Sequence, residues 1–223
     1  MKQQICKKLI ANLSLAILAS ISTFNVTAVE RVDPLKVFLS EFNSMQANFN
    51  QTLLNENGEQ LEKTSGTLYL QQPGKFHWQY KAPYVQEIIS NGEILWIYDE
   101  DLEQLTIREI DRNTIEKTPA AIILGDSRLE IHFEQVDLGN IDGYDWIELT
   151  PRDLEAQYKN IRIGFDRRRL GMMIIADNLG QTTRIDFTEV NKNTILSPEL
   201  FEFNIPEGVD VIDERQASIT EPE

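Results

Sequence analysis

From Ala47 onward the apolar residues recur at every second position, and Asn-Gly, Pro-Gly and Asp-Gly pairs interrupt the alternation at short intervals. A side chain that turns to a core every two residues specifies a β-strand, and turn pairs between such runs specify hairpins. The pattern argues against alternating βαβ units. The first run, Ala47, Phe49, Gln51 and Leu53, is followed by the turn Asn57-Gly58 and a strand through Leu68 and Leu70. Pro73-Gly74 then leads into Phe76, Trp78 and Tyr80, which alternate with Lys75, His77, Gln79 and Lys81 and give one strongly aromatic face.

Further strands are expected at 85–90, 94–98, 105–110, 129–136, 146–150, 158–165, 171–176 and 182–190. The turns between them include Asn91-Gly92, Asp99-Glu100-Asp101, Asp142-Gly143, Asp166-Arg167 and Asn178-Leu179-Gly180. Helices break the pattern at three places. Asp33-Pro34 is a capping residue followed by proline at the first helical position, and Leu35, Phe38, Leu39, Phe42 and Met45 then fall on one face. Thr118-Pro119 introduces a short apolar helix through Ile122 and Ile123 that Gly125 stops, and Ser197-Pro198 starts one more turn before Phe201, Phe203 and Ile205. The result is a mainly β (α+β) chain in which about ten or eleven antiparallel strands form one large curved sheet, with two or three short helices.

The first 28 residues follow another logic. Lys2, Lys7 and Lys8 precede an apolar stretch at 9–21, and Val26-Thr27-Ala28 supplies small residues, so a secretory signal peptide cut after Ala28 is expected. Cys6, the single cysteine, lies ahead of that stretch and not at the cut, so neither a disulfide nor a lipid anchor is expected. Residues 29–213 then form a single domain, and 214–223 an acidic flexible tail. The chain holds 36 acids and 21 bases, net −15, and loss of the three leader lysines takes the secreted form to −18. That charge argues against a nucleic-acid surface and for repulsion from anionic membranes.

Catalysis has little to work with. His77 and His132 are the two histidines, both in strand-like patterns, and G-x-S-x-G, H-E-x-x-H, the P-loop and G-x-G-x-x-G do not occur. No metal and no cofactor is expected. Asp99-Glu100-Asp101 lacks the glycine and distant glutamate of a calcium loop and reads as a solvated turn. Arg167, Arg168 and Arg169 also fall at a turn, where solvation is the first reading and docking of an acidic partner the second. The unusual feature is apolar: Phe49, Leu68, Leu70, Phe76, Trp78, Tyr80, Trp96 and Tyr98 on one sheet with few helices to cover them. An ordinary core and a lined cavity both fit.

Residues 42–78 (F-x-x-M-x-A-N-F-x-Q-T, G-T-L-Y-L and Q-P-G-K-F-H-W) resemble the periplasmic outer-membrane lipoprotein carrier family, LolA. So do S-N-G-E-I-L-W-I-Y-D at 90–99, T-P-A-A-I-I-L at 118–124, R-I-D-F at 184–187 and F-x-F-x-x-P-E-G-V-D-V-I at 201–212. The resemblance covers nearly all of the chain beyond residue 28. It implies an incomplete antiparallel β-barrel closed by helices over a hydrophobic cavity that takes the acyl chains of lipoproteins. Those lipoproteins are released by an inner-membrane ABC transporter and handed to an outer-membrane lipoprotein receptor, in the periplasm and without catalysis. The receptor is itself lipidated, so the lack of a lipidation cysteine favours the carrier, expected as a monomer.

By that resemblance Phe76 and Trp78 match the aromatic pair on the cavity strand, and Leu68 and Leu70 the preceding strand. Phe49, Trp96 and Tyr98 are further cavity candidates, and Leu35, Phe38, Ile122 and Ile123 are candidates for the lid. The family commonly has arginine before the proline of R-P-x-x-F-x-W, where it holds the lid; here that position is Gln72, which keeps hydrogen-bond donors but loses charge and the five-donor fork. Other readings are a periplasmic lipid or lipoprotein sensor of the same fold, a glycosidase with paired carboxylates in a polar cleft, and an outer-membrane barrel. The strands are mostly too short for the last.

Overall fold

The computed structural model describes residues 32–110, 119–124 and 129–215. The expected signal peptide, the Thr118 cap, the Gly125 stop and the tail beyond Arg215 lie outside the described residues.

Helix α1 (Pro34–Glu41) begins where Asp33 caps it, its Oδ1 accepting from the backbone N–H of Leu35 at 2.9 Å and of Lys36 at 3.2 Å. The helix turns Leu35 and Phe38 inward and ends sooner than the apolar pattern predicts. Phe42 already has extended backbone, and Met45 lies in β1 (Ser44–Leu54). Both are fully buried, so Phe42 and Met45 face the same core from a linker and a strand. Core-facing residues three or four apart cannot by themselves place a helix end.

The chain continues as a meander: β2 (Gln60–Gln71), β3 (Lys75–Ala82), β4 (Gln86–Asn91), β5 (Ile94–Asp99) and β6 (Gln104–Glu109). Helices α2 (Pro119–Leu124) and α3 (Leu129–His132) follow, then β7 (Phe133–Ile141), β8 (Tyr144–Pro151), β9 (Tyr158–Asp166), β10 (Arg169–Asp177) and β11 (Thr182–Lys192). The strand expected from residue 129 therefore opens with one helical turn. A 3-10 turn (Pro198–Phe201) and β12 (Asp210–Asp213) complete the described chain.

All these strands join in one 12-stranded sheet of order β12-β6-β5-β4-β3-β2-β1-β11-β10-β9-β8-β7. Two sequential meanders meet where β1 pairs with β11, Phe49 opposite Phe187. Neighbours are antiparallel except β12, which runs parallel to β6. β12 is the strand the alternation does not reveal, because Asp210, Val211 and Ile212 are all exposed. Its four residues take the total above the expected ten or eleven. Register shifts in β1, β2, β7 and β10 mark bulges, which bend and twist a sheet and let its inner face wrap a core. The segment between β6 and β7 carries α2 onto β2 and β3, while α1 lies against β8.

Candidate functional site: an apolar interior under two helices

Strand parity decides what faces the interior. On β3, Phe76, Trp78 and Tyr80 point inward, opposite Leu70, Leu68 and Gly66 of β2. Phe49 on β1 lies opposite Gly66, so its ring extends over a glycine and meets Trp78 (ring centroids 5.0 Å) and Tyr80 (5.2 Å). Trp78 also meets Phe187 of β11 at 6.4 Å. From above, Leu35 and Phe38 of α1 and Ile122, Ile123 and Leu124 of α2 join the same buried cluster. Phe49, Leu68, Leu70, Phe76 and Trp78 thus come together with the four lid candidates in one continuous interior.

Trp96 and Tyr98 do not join them. The β4–β5 hairpin pairs Ile88 with Ile97 and Ile89 with Trp96, so parity reverses across the Asn91-Gly92 turn. Leu95 and Ile97 face the interior, and Trp96 and Tyr98 face outward. Carrying even-numbered parity from β3 into β5 puts every side chain on the wrong face, the expected result of an odd sum of paired positions. Trp96 instead builds a second, outer cluster with Ile89, Leu105 and Ile107, against which Tyr98, Phe203 and Val209 pack. The ring of Phe203 lies 5.1 Å from Tyr98, so the C-terminal segment covers this outer face.

The interior also extends where the sequence candidates did not. Ile147, Leu149, Ile161, Ile163, Met173 and Ile185 supply its second half from β8 to β11. Their two-residue alternation was the available signal, but they carry no aromatic motif to attract notice. A surface cleft of about 590 Å³ between the β8–β9 loop and the β10–β11 turn is lined by Tyr158, Ile175 and Leu179, and Tyr158 and Ile175 also pack on the interior cluster.

In this state the interior is filled by its own side chains: Phe38, Phe49, Leu68 and Leu70 are at most 1% exposed. The filling is imperfect in polar terms. The buried indole N–H of Trp78 has no hydrogen-bond partner, and that desolvated donor is a cost of this packing. Burial raises the Tyr80 phenol well above its usual range, and its hydroxyl donates to Gln51 Oε1 at 3.3 Å.

Gln72 is where the two covering helices meet the sheet. Its Nε2 donates to the Leu39 carbonyl of α1 at 3.5 Å and to the Leu124 carbonyl of α2 at 3.3 Å. Both bonds are long and neutral, so each is weaker than a guanidinium would make it. Gln72→Ala is expected to cost about 1 kcal/mol and to speed amide exchange in α2 while leaving β8–β11 unchanged. Unaltered α2 exchange would refute the bridging role. At its other contacts α1 is tied by Asp33 Oδ2, which accepts from Gln135 Nε2 at 2.6 Å, and by Lys36 Nζ 2.5 Å from Glu130 of α3.

On the outer face His77 is buried beneath the C-terminal segment, and Glu87 Oε2 lies 2.9 Å from its Nε2. That contact holds the Glu87 carboxyl below the usual carboxylate range, with burial opposing. A carboxyl whose pKa falls on folding contributes stability above its unfolded pKa and loses it as pH falls through the folded value. Thermal midpoints are therefore expected to drop as pH is lowered past the ordinary carboxylate range, and Glu87→Gln to flatten part of that acid limb. Identical pH profiles for the two proteins would exclude a contribution from this pair. Among the described residues no group of acids, histidines or cysteines is placed to hold a metal ion. No helix among them is long and apolar enough to cross a membrane.

Residues 40–204, which hold β1 to β11 and α2, match the family described as outer membrane lipoprotein carrier protein LolA. The outer-membrane lipoprotein carrier protein of Methylococcus capsulatus is 40% identical over 181 residues, covering 81% of this chain and 86% of that protein. That of Nitrosomonas europaea is 38% identical over 182 residues, covering 81% and 88%. Among solved structures, an uncharacterized conserved protein from Thermus thermophilus shares the fold, with a TM-score of 0.51, 13% identity and coverage of 82% and 96%. The family match runs through both meanders and α2, and the chain belongs to the LolA family of outer-membrane lipoprotein carriers.

Proposed function

We propose that this chain is a periplasmic carrier that shields the acyl chains of lipoproteins in its apolar interior, takes them from an inner-membrane transporter and delivers them to an outer-membrane receptor. It performs no catalysis. The observation that carries this reading is an aromatic-lined sheet face covered by two short helices, which one neutral side chain, Gln72, bridges through two long hydrogen bonds.

The energetics are consistent with such a task. Each buried methylene gains roughly 0.8 kcal/mol, so an acyl chain of about fifteen carbons gains on the order of 10 kcal/mol when fully enclosed. A carrier that kept all of it could not release its cargo. An interior closed on its own rings must be opened first, and that cost offsets part of the gain. Loading then needs work from a transporter, whereas delivery runs downhill. The charge, −15 for the whole chain and −18 without the three leader lysines, keeps the loaded protein away from anionic bilayers between the two handovers.

Native mass spectrometry of the protein recovered from its host's periplasm, with release to the outer membrane blocked, tests the reading. A one-to-one complex with an acylated protein is the expected result. Free protein, or protein carrying phospholipid alone, would shift the assignment to a lipid sensor of the same fold.

A further inference from the structure

The β9–β10 hairpin is the least expected feature of this acidic surface. It presents three consecutive arginines, Arg167, Arg168 and Arg169, with side chains 89%, 67% and 57% exposed. Lys192, at the end of β11, adds a fourth cation at the same end of the sheet. We propose that this hairpin is a docking surface for an acidic segment of a partner protein.

The turn itself argues that these side chains are retained for what they touch. Arg167 and Arg168 are its two central residues, and both have left-handed backbone, with φ of 47° and 67°. Such positions favour Asn-Gly or Asp-Gly, and the adjacent β7–β8 turn uses Asp142 and Gly143 (φ 52° and 87°) in that role. Two arginines there are a local conflict between sequence and backbone, and such conflicts concentrate at functional sites.

The partners these cations now have are replaceable. Arg168 Nη1 donates to Glu41 Oε1 at 3.3 Å, and Lys192 Nζ donates to Glu41 Oε2 at 3.2 Å. Arg169 Nη2 donates to Asp166 Oδ2 at 3.1 Å, while Arg167 Nε is 3.9 Å from Asp166 Oδ1. The arginine pairs are exposed and contribute little, so incoming carboxylates compete with Glu41 and Asp166 for the guanidinium groups at small cost. Each guanidinium fork matches a carboxylate bidentately. A bilayer fits less well, because a broad anionic plane would also meet Glu41, Asp142 and Asp166 on a chain of net −15. A narrow acidic segment can reach the arginines alone. The inference does not depend on what the interior holds.

Amide NMR of the purified protein tests it with two probes, hexaglutamate peptide and nanodiscs of phosphatidylethanolamine with phosphatidylglycerol. The peptide is expected to shift the amides of residues 166–170 and of Glu41 saturably, and raising the salt severalfold should remove the effect. The double variant R167N/R168G, whose turn pair suits the backbone better, is expected to keep its thermal midpoint and bind the peptide at least about fivefold more weakly. Silent hairpin amides, or equal affinity in the variant, would overturn the proposal. Shifts of the same amides by nanodiscs instead of peptide would overturn it in favour of a membrane contact.

Discussion

Gly66→Ala is expected to lower stability by more than about 3 kcal/mol, a fall of roughly 6–12 °C in the thermal midpoint for a domain of this size. An ideal Cβ on Gly66 would sit 1.8 Å from the Gln79 carbonyl oxygen and 2.8 Å from two atoms of the Phe49 ring. The first clash is with backbone, so no rotamer change relieves it. The second is with the ring that lies across β1 and β2, where Phe49 and Gly66 are directly paired. A register shift at Ser65 and Gly66 already brings the β3 backbone close at this point. Even one methyl group must therefore separate β2 from β3 or expel Phe49 from the interior, and either movement breaks the contact with Trp78. Circular dichroism melts decide the matter: a midpoint within about 2 °C of the parent would mean that the sheet relaxes far more easily than close-packed interiors do.

That glycine illustrates what the sequence could and could not reveal. Alternation made the strands legible because each half-buried strand must repeat its inward face every two residues. The mainly β class and the inward triplet Phe76, Trp78 and Tyr80 follow from that rule alone. Three things escaped it. Met45 and Phe42 look helical because a core accepts side chains from any element at the right depth. Trp96 and Tyr98 look like interior residues until the pairing Ile89↔Trp96 fixes the hairpin register. β12 has no buried residue to betray it, since its place is set by backbone pairing with β6. Gly66 falls in the same class: G-T-L-Y-L marks it as part of a motif, but only a close approach in space explains why a side chain cannot stand there. Gln72 was recognisable by its position before Pro73, yet its hold on both covering helices depends on where the carbonyls of Leu39 and Leu124 come to rest.

Phe76→Glu and Phe49→Ala are expected to separate the cost of folding from the cost of binding. Phe76 is 4% exposed between Leu70 of β2 and Ser90 of β4 and belongs to the apolar interior cluster, so a carboxylate there is costly to bury in its charged form. Whether it stays neutral or draws in water, it removes the surface on which an acyl chain would lie, and affinity for a fluorescent long-chain acyl probe should fall by at least about a hundredfold, near 3 kcal/mol. Phe49→Ala is expected to cost about 3–5 kcal/mol of stability, because it deletes a ring packed against Trp78 and Tyr80. Its effect on binding has the opposite sign. On the proposed function the parent interior must be emptied of its own rings before an acyl chain enters, whereas the truncated one already has space where the Phe49 ring lay. Probe affinity should therefore be retained or increased in Phe49→Ala despite its lower midpoint. A common loss of binding in both variants, in proportion to their loss of stability, would mean that the interior is an ordinary core and that the cargo is held elsewhere.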